Sequence, residues 1–194
     1  MRLFVALNLP EAVRQALWAA AAPARDLDLP LRWVRPDGIH LTLKFLGETA
    51  DQRAPELRSA LARVAGDSGG ASAPARPLAV ALGGFGAFPD VERPRVVWAG
   101  VAGDPALELL QHGLEREFAP LGFPTEARAF RPHVTLARAT RDARPADFAR
   151  AGLDAVLGTL EFAETVVIET LDLMRSELGR DGAVYHVLHR ERIV

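Results

Sequence analysis

Two short segments, each with a histidine two residues before a threonine, hold the residues of this sequence best suited to chemistry. The first segment reads His40-Leu-Thr-Leu and the second reads His133-Val-Thr-Leu, nearly half the chain apart. Random placement of five histidines and eight threonines among 194 residues would give about 0.2 such triplets. Both segments are apolar stretches typical of strands, and a proline shortly precedes each. The repetition predicts two related strands that serve one site.

The alternation of side chains along a strand sorts these residues into two faces. His40 and Thr42 fall on one face of the first strand, and His133 and Thr135 fall on one face of the second. The intervening apolar residues face the opposite way, toward a core. Two such strands side by side would present two imidazoles and two hydroxyls to one cleft.

The same alternation makes two further predictions about the first strand. Lys44 shares the face of His40 and Thr42, and at the end of the strand it is expected to be a solvated side chain. Phe45 falls on the apolar face with Leu41.

Two imidazoles and two hydroxyls are suited to phosphoryl transfer. Imidazole titrates near neutrality, so one histidine can be neutral while the other is charged at the same pH. The neutral one can remove a proton from an attacking water, and the charged one can donate a proton to the leaving oxygen. Threonine hydroxyls can donate hydrogen bonds to the non-bridging phosphate oxygens and orient the group.

Two other interpretations of the motifs are open at this point. The histidines could be buried structural residues beside threonines that favour strands. They could also bind a metal, although His-x-Thr is not a usual chelating spacing and neither strand holds an Asp or Glu. A further ligand could come from elsewhere in the chain. Our prediction is a site with no metal and no cofactor.

Composition limits the class of protein. A chain of 194 residues can bury one core, as a single domain that could have two lobes. The net charge is −2, so binding of nucleic acid would require a local basic patch. The absence of cysteine excludes disulfides and cysteine nucleophiles and fits a reducing cytoplasm. No apolar run approaches the length of a membrane span, and a strand followed by a helix explains the N-terminus better than an export signal.

Apolar patterning, prolines and glycines predict an α+β fold with mostly antiparallel sheets. The stretch 83–94, with three glycines and two prolines, is predicted to be a loop, and 66–77 a mobile connection. The predicted helices follow Pro10, cover Pro55–Val64 and Asp104–Phe118, and begin at Pro145. The predicted strands are Leu3–Leu9, Leu31–Val34, Ile39–Leu46, Leu78–Leu82, Val96–Val101, His133–Ala137, Thr165–Arg175 and Ala183–His189, the last two forming a hairpin.

The two motifs and three other stretches resemble the 2H phosphoesterases, in particular the LigT-like RNA 2′,3′-cyclic phosphodiesterases, also called 2′-5′ RNA ligases. The resemblance covers nearly the full chain, and the paired motif is specific. The resembling stretches are His40-Leu-Thr-Leu-Lys-Phe-Leu-Gly47, Arg131-Pro-His-Val-Thr-Leu-Ala-Arg138, Arg2-Leu-Phe-Val-Ala-Leu, Pro94-Arg-Val-Val-Trp98 and Leu171 to Tyr185.

The resemblance implies a bilobal α+β fold, with two related and mostly antiparallel sheets, helices outside and a central cleft. Residues 1–194 would then form a single domain of two pseudo-symmetric lobes that share this cleft. The implied reaction is metal-independent hydrolysis of an RNA terminal 2′,3′-cyclic phosphate to a 2′-phosphomonoester. Joining of RNA ends through a 2′-5′ linkage would be a secondary activity in the reverse direction.

The resemblance also implies roles for individual residues. His40 would be the general acid for the leaving 3′ oxygen, His133 the general base for water, and Thr42 and Thr135 the phosphate-binding residues. Arg138 is a further candidate for phosphate contact. Strict alternation places it on the face opposite His133, so it would need a strand end, a twist or a bulge to enter the cleft. The alternative for Arg138 is a surface ion pair.

Three hypotheses are open about the molecule that this protein binds or acts on. The first is RNA with a 2′,3′-cyclic phosphate end, acted on by a cytoplasmic monomer. The second is the same chemistry on a small cyclic nucleotide or an ADP-ribose cyclic phosphate. The third is a non-catalytic module that binds RNA ends. Aromatic side chains could stack the terminal base, although most aromatics in strands belong to cores; the candidates are Phe4, Trp33, Phe85, Phe88 and Trp98.

Overall fold

The computed structural model describes residues 1–67, 78–179 and 182–193, and these residues form nine strands and six α-helices. In chain order the elements are β1 (Arg2–Asn8), α1 (Glu11–Ala20), α2 (Ala22–Arg25), β2 (Leu31–Trp33), β3 (His40–Glu48), α3 (Ala54–Asp67), β4 (Leu78–Phe88), β5 (Val96–Val101), α4 (Pro105–Phe118), β6 (His133–Ala139), α5 (Pro145–Ala151), α6 (Leu153–Thr159), β7 (Ala163–Ile168), β8 (Thr170–Gly179) and β9 (Gly182–Arg192).

The strands lie in one curled antiparallel sheet, in the order β7-β4-β5-β6-β3-β1-β8-β9, with β2 paired to β6. Every pairing between strands in the described residues is antiparallel. The predicted α+β class with antiparallel sheets is therefore confirmed. The two expected sheets, β3-β1-β8-β9 and β7-β4-β5-β6-β2, join through the single pair Leu41 and Val134.

The helices cover one face of this sheet and leave the other face open. One buried cluster packs α1, α3 and α4 against the strands, and a second packs α2, α5 and α6 against β2, β5 and β6. The helix predicted after Asp104 begins there because the Asp104 carboxylate accepts a hydrogen bond from the backbone N–H of Ala106, at 2.8 Å, and Pro105 fits the first turn. No helix within the described ranges is long and apolar enough to cross a membrane.

Two predicted elements were wrong, and a helix was missed. The stretch predicted as a loop from Gly83 continues β4 as far as Phe88, because a register shift in β4 lets the strand run through its glycines. The long strand predicted at Thr165–Arg175 is two strands, β7 and β8, which pair with different neighbours. Helix α6 was not predicted. The connection predicted at 66–77 lies outside the described residues from residue 68 onward.

A register shift follows each His-x-Thr motif at the same place. In β3 the pairing with β1 slips by one residue between Thr42 and Lys44, and in β6 the pairing with β5 slips between Thr135 and Ala137. An extra residue in one strand resets the alternation of faces. Strict alternation therefore fails beyond Leu43 and Leu136.

The shift in β3 corrects both predictions about its end. Lys44 is buried on the helix side of the sheet and forms an ion pair with Glu115 of α4, with Nζ 2.5 Å from the carboxylate. Its Nζ also donates to the carbonyl oxygen of Pro124, at 3.0 Å. Phe45, predicted to face the core, is 65% exposed on the open face.

The Lys44–Glu115 pair yields a prediction about stability. Glu115→Ala would leave a buried ammonium without its counter-ion, which costs about 3–5 kcal/mol. We expect urea denaturation of this variant to show that loss of unfolding free energy. The double variant Lys44→Met/Glu115→Leu should recover most of it, since no buried charge remains.

The matched control is the more exposed pair between Arg63 of α3 and Glu117, which, like Glu115, belongs to α4. Arg63→Gln should change the unfolding free energy by less than about 1 kcal/mol. A loss for Glu115→Ala no larger than that of the control would contradict the proposed cost of the unpaired lysine.

Candidate active site

The pairing of Leu41 with Val134 sets the relative position of the two motifs. In the antiparallel register fixed by this pair, His40 lies opposite Thr135 and Thr42 lies opposite His133. The two histidines are then diagonal neighbours, which in a regular ladder are about 7–8 Å apart. All four side chains are half-buried on the open face of the sheet, while Leu41 and Val134 are fully buried beneath them.

Each imidazole is held by the backbone two residues before it, just ahead of its strand. Nδ1 of His40 lies 2.8 Å from the carbonyl oxygen of Gly38, and Nδ1 of His133 lies 2.7 Å from the carbonyl oxygen of Arg131. A carbonyl oxygen only accepts, so Nδ1 of each ring carries the proton. In the neutral ring Nε2 is therefore the acceptor, and it is the free nitrogen at each position.

Aromatic rings enclose both histidines. The His40 ring stacks on Phe4 with centroids 4.9 Å apart, and Tyr185 meets it edge-on at 4.9 Å. The His133 ring meets Phe88 edge-on at 5.0 Å, and Phe88 contacts Trp98 at 5.2 Å. These contacts fix the planes of the imidazoles and remove water from their faces.

Burial shifts the pKa of both histidines in the same direction. Desolvation lowers the pKa of His40 to about 4, against a smaller opposing effect of its hydrogen bond to Gly38. Desolvation also lowers the pKa of His133, again opposed by the backbone hydrogen bond to Arg131. The positive charge of Arg138 lowers both further. In the free protein both imidazoles are therefore neutral at pH 7.

Arg138 faces the cleft because of the register shift in β6. It pairs with Val96, one residue past the shift, and so lies on the same side as Thr135. Its charge acts on His40, on His133 and on the half-buried Tyr185, whose pKa is raised by desolvation and lowered in part by Arg138. Among the described residues no carboxylate forms an ion pair with Arg138. The alternative of a surface ion pair is wrong, and the arginine is free to meet an anion.

A polar network next to His40 was missed by sequence reasoning. Asn8 lies directly opposite His40 in the β1–β3 pairing, and its side-chain amide donates to the carboxylate of Asp172 at 2.6 Å. Arg190 donates two hydrogen bonds to the same carboxylate, at 2.8 and 2.9 Å. Asp172 is fully buried. The three residues of the network come from three strands, β1, β8 and β9, so no local sequence pattern indicated it.

The aromatic candidates for base stacking occupy different places. Phe4 and Phe88 touch the histidines, and Trp98 lies behind Phe88. Trp33 lines a neighbouring groove, and Phe85 packs against both cores. Tyr185 was not among the candidates, although it ends one of the stretches that resemble the family.

The part of the chain that the structure describes contains no set of ligands that would support the metal hypothesis. No group of three or more His, Asp or Glu side chains is arranged there to hold a metal ion. The two imidazoles and two hydroxyls, with Arg138 nearby, instead form a site suited to an anion. The Nε2 atoms of the two imidazoles give this site two groups that can transfer protons.

Comparison with known proteins agrees with this geometry. The family model described as the 2′-5′ RNA ligase superfamily matches residues 10–180. An RNA 2′,3′-cyclic phosphodiesterase from Aeropyrum pernix is 34% identical over 162 residues, covering 83% of this chain and 85% of the relative. Another, from Thermus thermophilus, is 36% identical over 201 residues, covering 98% and 89%.

Solved structures show the same fold. The crystal structure of TT0787 from Thermus thermophilus superposes with a TM-score of 0.78 at 31% identity, covering 100% of this chain and 98% of that one. The structure of E. coli LigT complexed with 3′-AMP gives a TM-score of 0.72 at 27% identity, covering 99% and 97%. The family model, the relatives and the fold thus confirm the family resemblance that the paired motifs indicated. The chain belongs to the 2′-5′ RNA ligase superfamily.

Proposed function

We propose that this protein hydrolyses RNA terminal 2′,3′-cyclic phosphates to 2′-phosphomonoesters, with His40 and His133 as its acid and base. The observation that carries the proposal is the diagonal placement of two imidazoles, each anchored through Nδ1, with a free Nε2 on the open face. The relatives from Aeropyrum pernix and Thermus thermophilus are RNA 2′,3′-cyclic phosphodiesterases. This activity requires neither a metal nor another cofactor.

The reaction is an in-line displacement at phosphorus. Nε2 of His133 accepts a proton from water as the water oxygen bonds to phosphorus. The bond between phosphorus and the 3′ oxygen breaks on the opposite side, and protonated Nε2 of His40 donates its proton to that oxygen. The phosphate stays on the 2′ oxygen, and both histidines return to their starting state after one proton is exchanged with solvent.

The hydroxyls and the arginine act on the phosphate itself. Thr42 and Thr135 donate hydrogen bonds to its non-bridging oxygens, which orients the group between the two imidazoles. Arg138 offsets the charge of these oxygens as it develops in the transition state. The fixed register of the two strands holds these donors before the substrate arrives.

The acid must gain its proton in the presence of the substrate. The lowered pKa of His40 leaves the ring neutral in the free protein at pH 7. A bound phosphodiester carries a negative charge beside Nε2, and such a charge raises the pKa of an imidazole. Substrate binding and protonation of His40 are thus coupled.

We further propose that residues 1–194 act as a single domain of two pseudo-symmetric lobes that share the cleft. Each lobe would contribute one motif, one register shift and one hydrogen-bonded imidazole. The chain order supports this, because β8 and β9 return to pair beside β1, so each lobe contains strands from distant parts of the sequence. The proposed form is a cytoplasmic monomer acting on RNA ends, with 2′-5′ ligation as a secondary, reverse activity.

The first prediction concerns the two histidines. In the presence of EDTA the purified protein should open the cyclic phosphate of a short RNA and yield only the 2′-phosphate, as resolved by chromatography against 2′ and 3′ standards. His40→Ala and His133→Ala should each lower kcat by about 10²–10⁴-fold, the usual contribution of a general acid or base.

His112→Ala is the matched control, since His112 is exposed on α4, and it should keep the parent rate. Circular dichroism spectra should be the same for all three variants. Activity that disappears with EDTA and returns with zinc would replace this mechanism with the metal hypothesis.

The second prediction separates the acid from the base. An aryl phosphodiester has a leaving group that departs without a proton, so it does not need a general acid. With such a substrate His40→Ala should approach the parent rate, while His133→Ala should remain impaired. The opposite pattern, with only His133→Ala restored, would show that the two roles are exchanged.

The third prediction concerns pH. The profile of kcat/KM reports the pKa values of the free enzyme, and the reaction needs one imidazole protonated and one neutral. Because burial lowers both pKa values below 6.5, the maximum should lie at acidic pH. Above pH 6.5 the value should fall about tenfold per pH unit. A profile for a cyclic mononucleotide that rises from pH 6 to pH 8 would contradict the lowered pKa values.

A further inference from the structure

An arginine-rich groove leads away from the paired motifs. It has a volume of about 960 Å³ and opens between the ends of β2 and β6 on one side and the hairpin of β8 and β9 on the other. Among the described residues that line it, two are acidic, Asp37 and Asp142, but they are outnumbered. The basic ones among these described lining residues are Arg32, Arg35, Arg138 and Arg141. The groove is therefore positive on a chain whose net charge is −2.

These arginines lack the partners that arginines have elsewhere in the protein. Arg63, Arg150 and Arg175 each have a carboxylate oxygen at 2.6–3.5 Å. Within residues 1–67, 78–179 and 182–193, none of the four groove arginines forms an ion pair. Unpaired guanidinium groups gathered on one surface are suited to an anionic ligand that arrives from outside.

The pairing of β2 with β6 even sets two of these charges side by side. Arg32 lies directly opposite Arg138, and like charges at such positions repel. The side chain of Arg32 also reaches the opposite wall, where its Cδ is 3.6 Å from the position a Cβ would take at Gly182. A phosphate between the walls would relieve the repulsion of the two guanidinium groups.

The groove is continuous with the proposed active site. Arg138 lines the groove and acts electrostatically on both histidines. Tyr185 also lines it, and its ring touches His40. A chain whose last phosphate lies between the histidines can therefore continue past Tyr185 and Arg138 toward Arg32.

The walls offer apolar surface as well as charge. Trp33 lines the groove on the β2 side, and Leu178 and Val184 of the hairpin line it on the other side, with exposures of 89% and 46%. Grooves that hold single-stranded nucleic acid combine cations along the backbone with apolar faces for the bases. The volume of the groove is at the upper end of the range of about 300–1,000 Å³ for sites that hold one small molecule. A groove of this size has room for more than a terminal nucleotide.

We propose that this groove binds the single strand of RNA on the 5′ side of the cyclic phosphate, with Arg32, Arg35 and Arg141 contacting its phosphates. The proposal rests on the proposed function, because a 2′,3′-cyclic phosphate lies at the 3′ end of an RNA and the rest of the strand must leave in one direction. The preferred substrate is then an oligonucleotide rather than a cyclic mononucleotide.

The test compares two substrates that share the terminal nucleotide, a cyclic mononucleotide and a tetranucleotide with a 2′,3′-cyclic phosphate end. At low salt kcat/KM for the tetranucleotide should exceed that for the mononucleotide at least tenfold. The triple variant Arg32→Gln/Arg35→Gln/Arg141→Gln should reduce this ratio at least tenfold. Arg58→Gln removes an exposed charge from α3, away from the groove, and should leave the ratio unchanged.

A binding measurement separates the groove from the chemistry. Fluorescence anisotropy with the 2′-phosphate-ended tetranucleotide product gives Kd against salt concentration. Loss of three phosphate contacts should reduce the slope of log Kd against log salt by about 2. Equal kcat/KM for both substrates in the parent protein, or a ratio that the triple variant does not change, would overturn the proposal. Turnover of neither substrate would refute the proposed function, while the anisotropy slopes would still decide whether the groove binds RNA.

Discussion

The pairing of Leu41 with Val134 is the connection on which the site depends, since within the described residues β3 and β6 register through this one pair. Its two side chains are fully buried, so the backbone between the two sheets is fixed by core packing beneath the cleft. One antiparallel residue pair is enough to relate β3 and β6 by a local two-fold axis. Each histidine then lies opposite the threonine of the other strand, and the two histidines are diagonal neighbours on the open face.

The register shift behind each motif completes this arrangement. Without it, Lys44 and Ala137 would point toward the cleft, while Phe45 and Arg138 would point into the core. With it, a lysine joins the sheet to α4 from below and an arginine enters the cleft above. Both strands have the shift at the same distance from the histidine, so the two motifs share backbone geometry as well as residue types. The residues brought to the open face nevertheless differ, Phe45 in β3 and Arg138 in β6, which makes the cleft electrostatically asymmetric.

The position of the register shift explains which features of the fold and of the site could be predicted from the sequence. The period of two along a strand placed the histidine and threonine of each motif correctly, because those residues precede the shift. The Asp104 cap and the first-turn Pro105 located α4, and Pro10, which directly precedes α1, located the start of that helix for the same local reason. The shift itself results from pairing with β1 and β5, so no local pattern indicated the burial of Lys44. The contact between Asn8 and Asp172 joins residues from the two ends of the chain, and single-sequence periodicity contains no information about such a contact.

The electrostatic asymmetry of the cleft affects its chemistry through the pKa values of the two histidines. The half-buried imidazole of His40, between Phe4 and Tyr185 and near the guanidinium of Arg138, resists protonation in the free protein. The proposed substrate is an anion, and its negative charge opposes both causes of the lowered pKa of His40. It offsets the positive charge of Arg138, and it stabilises the imidazolium in place of the lost water. In the proposed mechanism, a neutral molecule of the same shape would leave His40 unprotonated and the acid absent. That mechanism would therefore distinguish phosphodiesters from neutral esters through the proton that an anion brings onto His40, in addition to the proposed contacts of the hydroxyls.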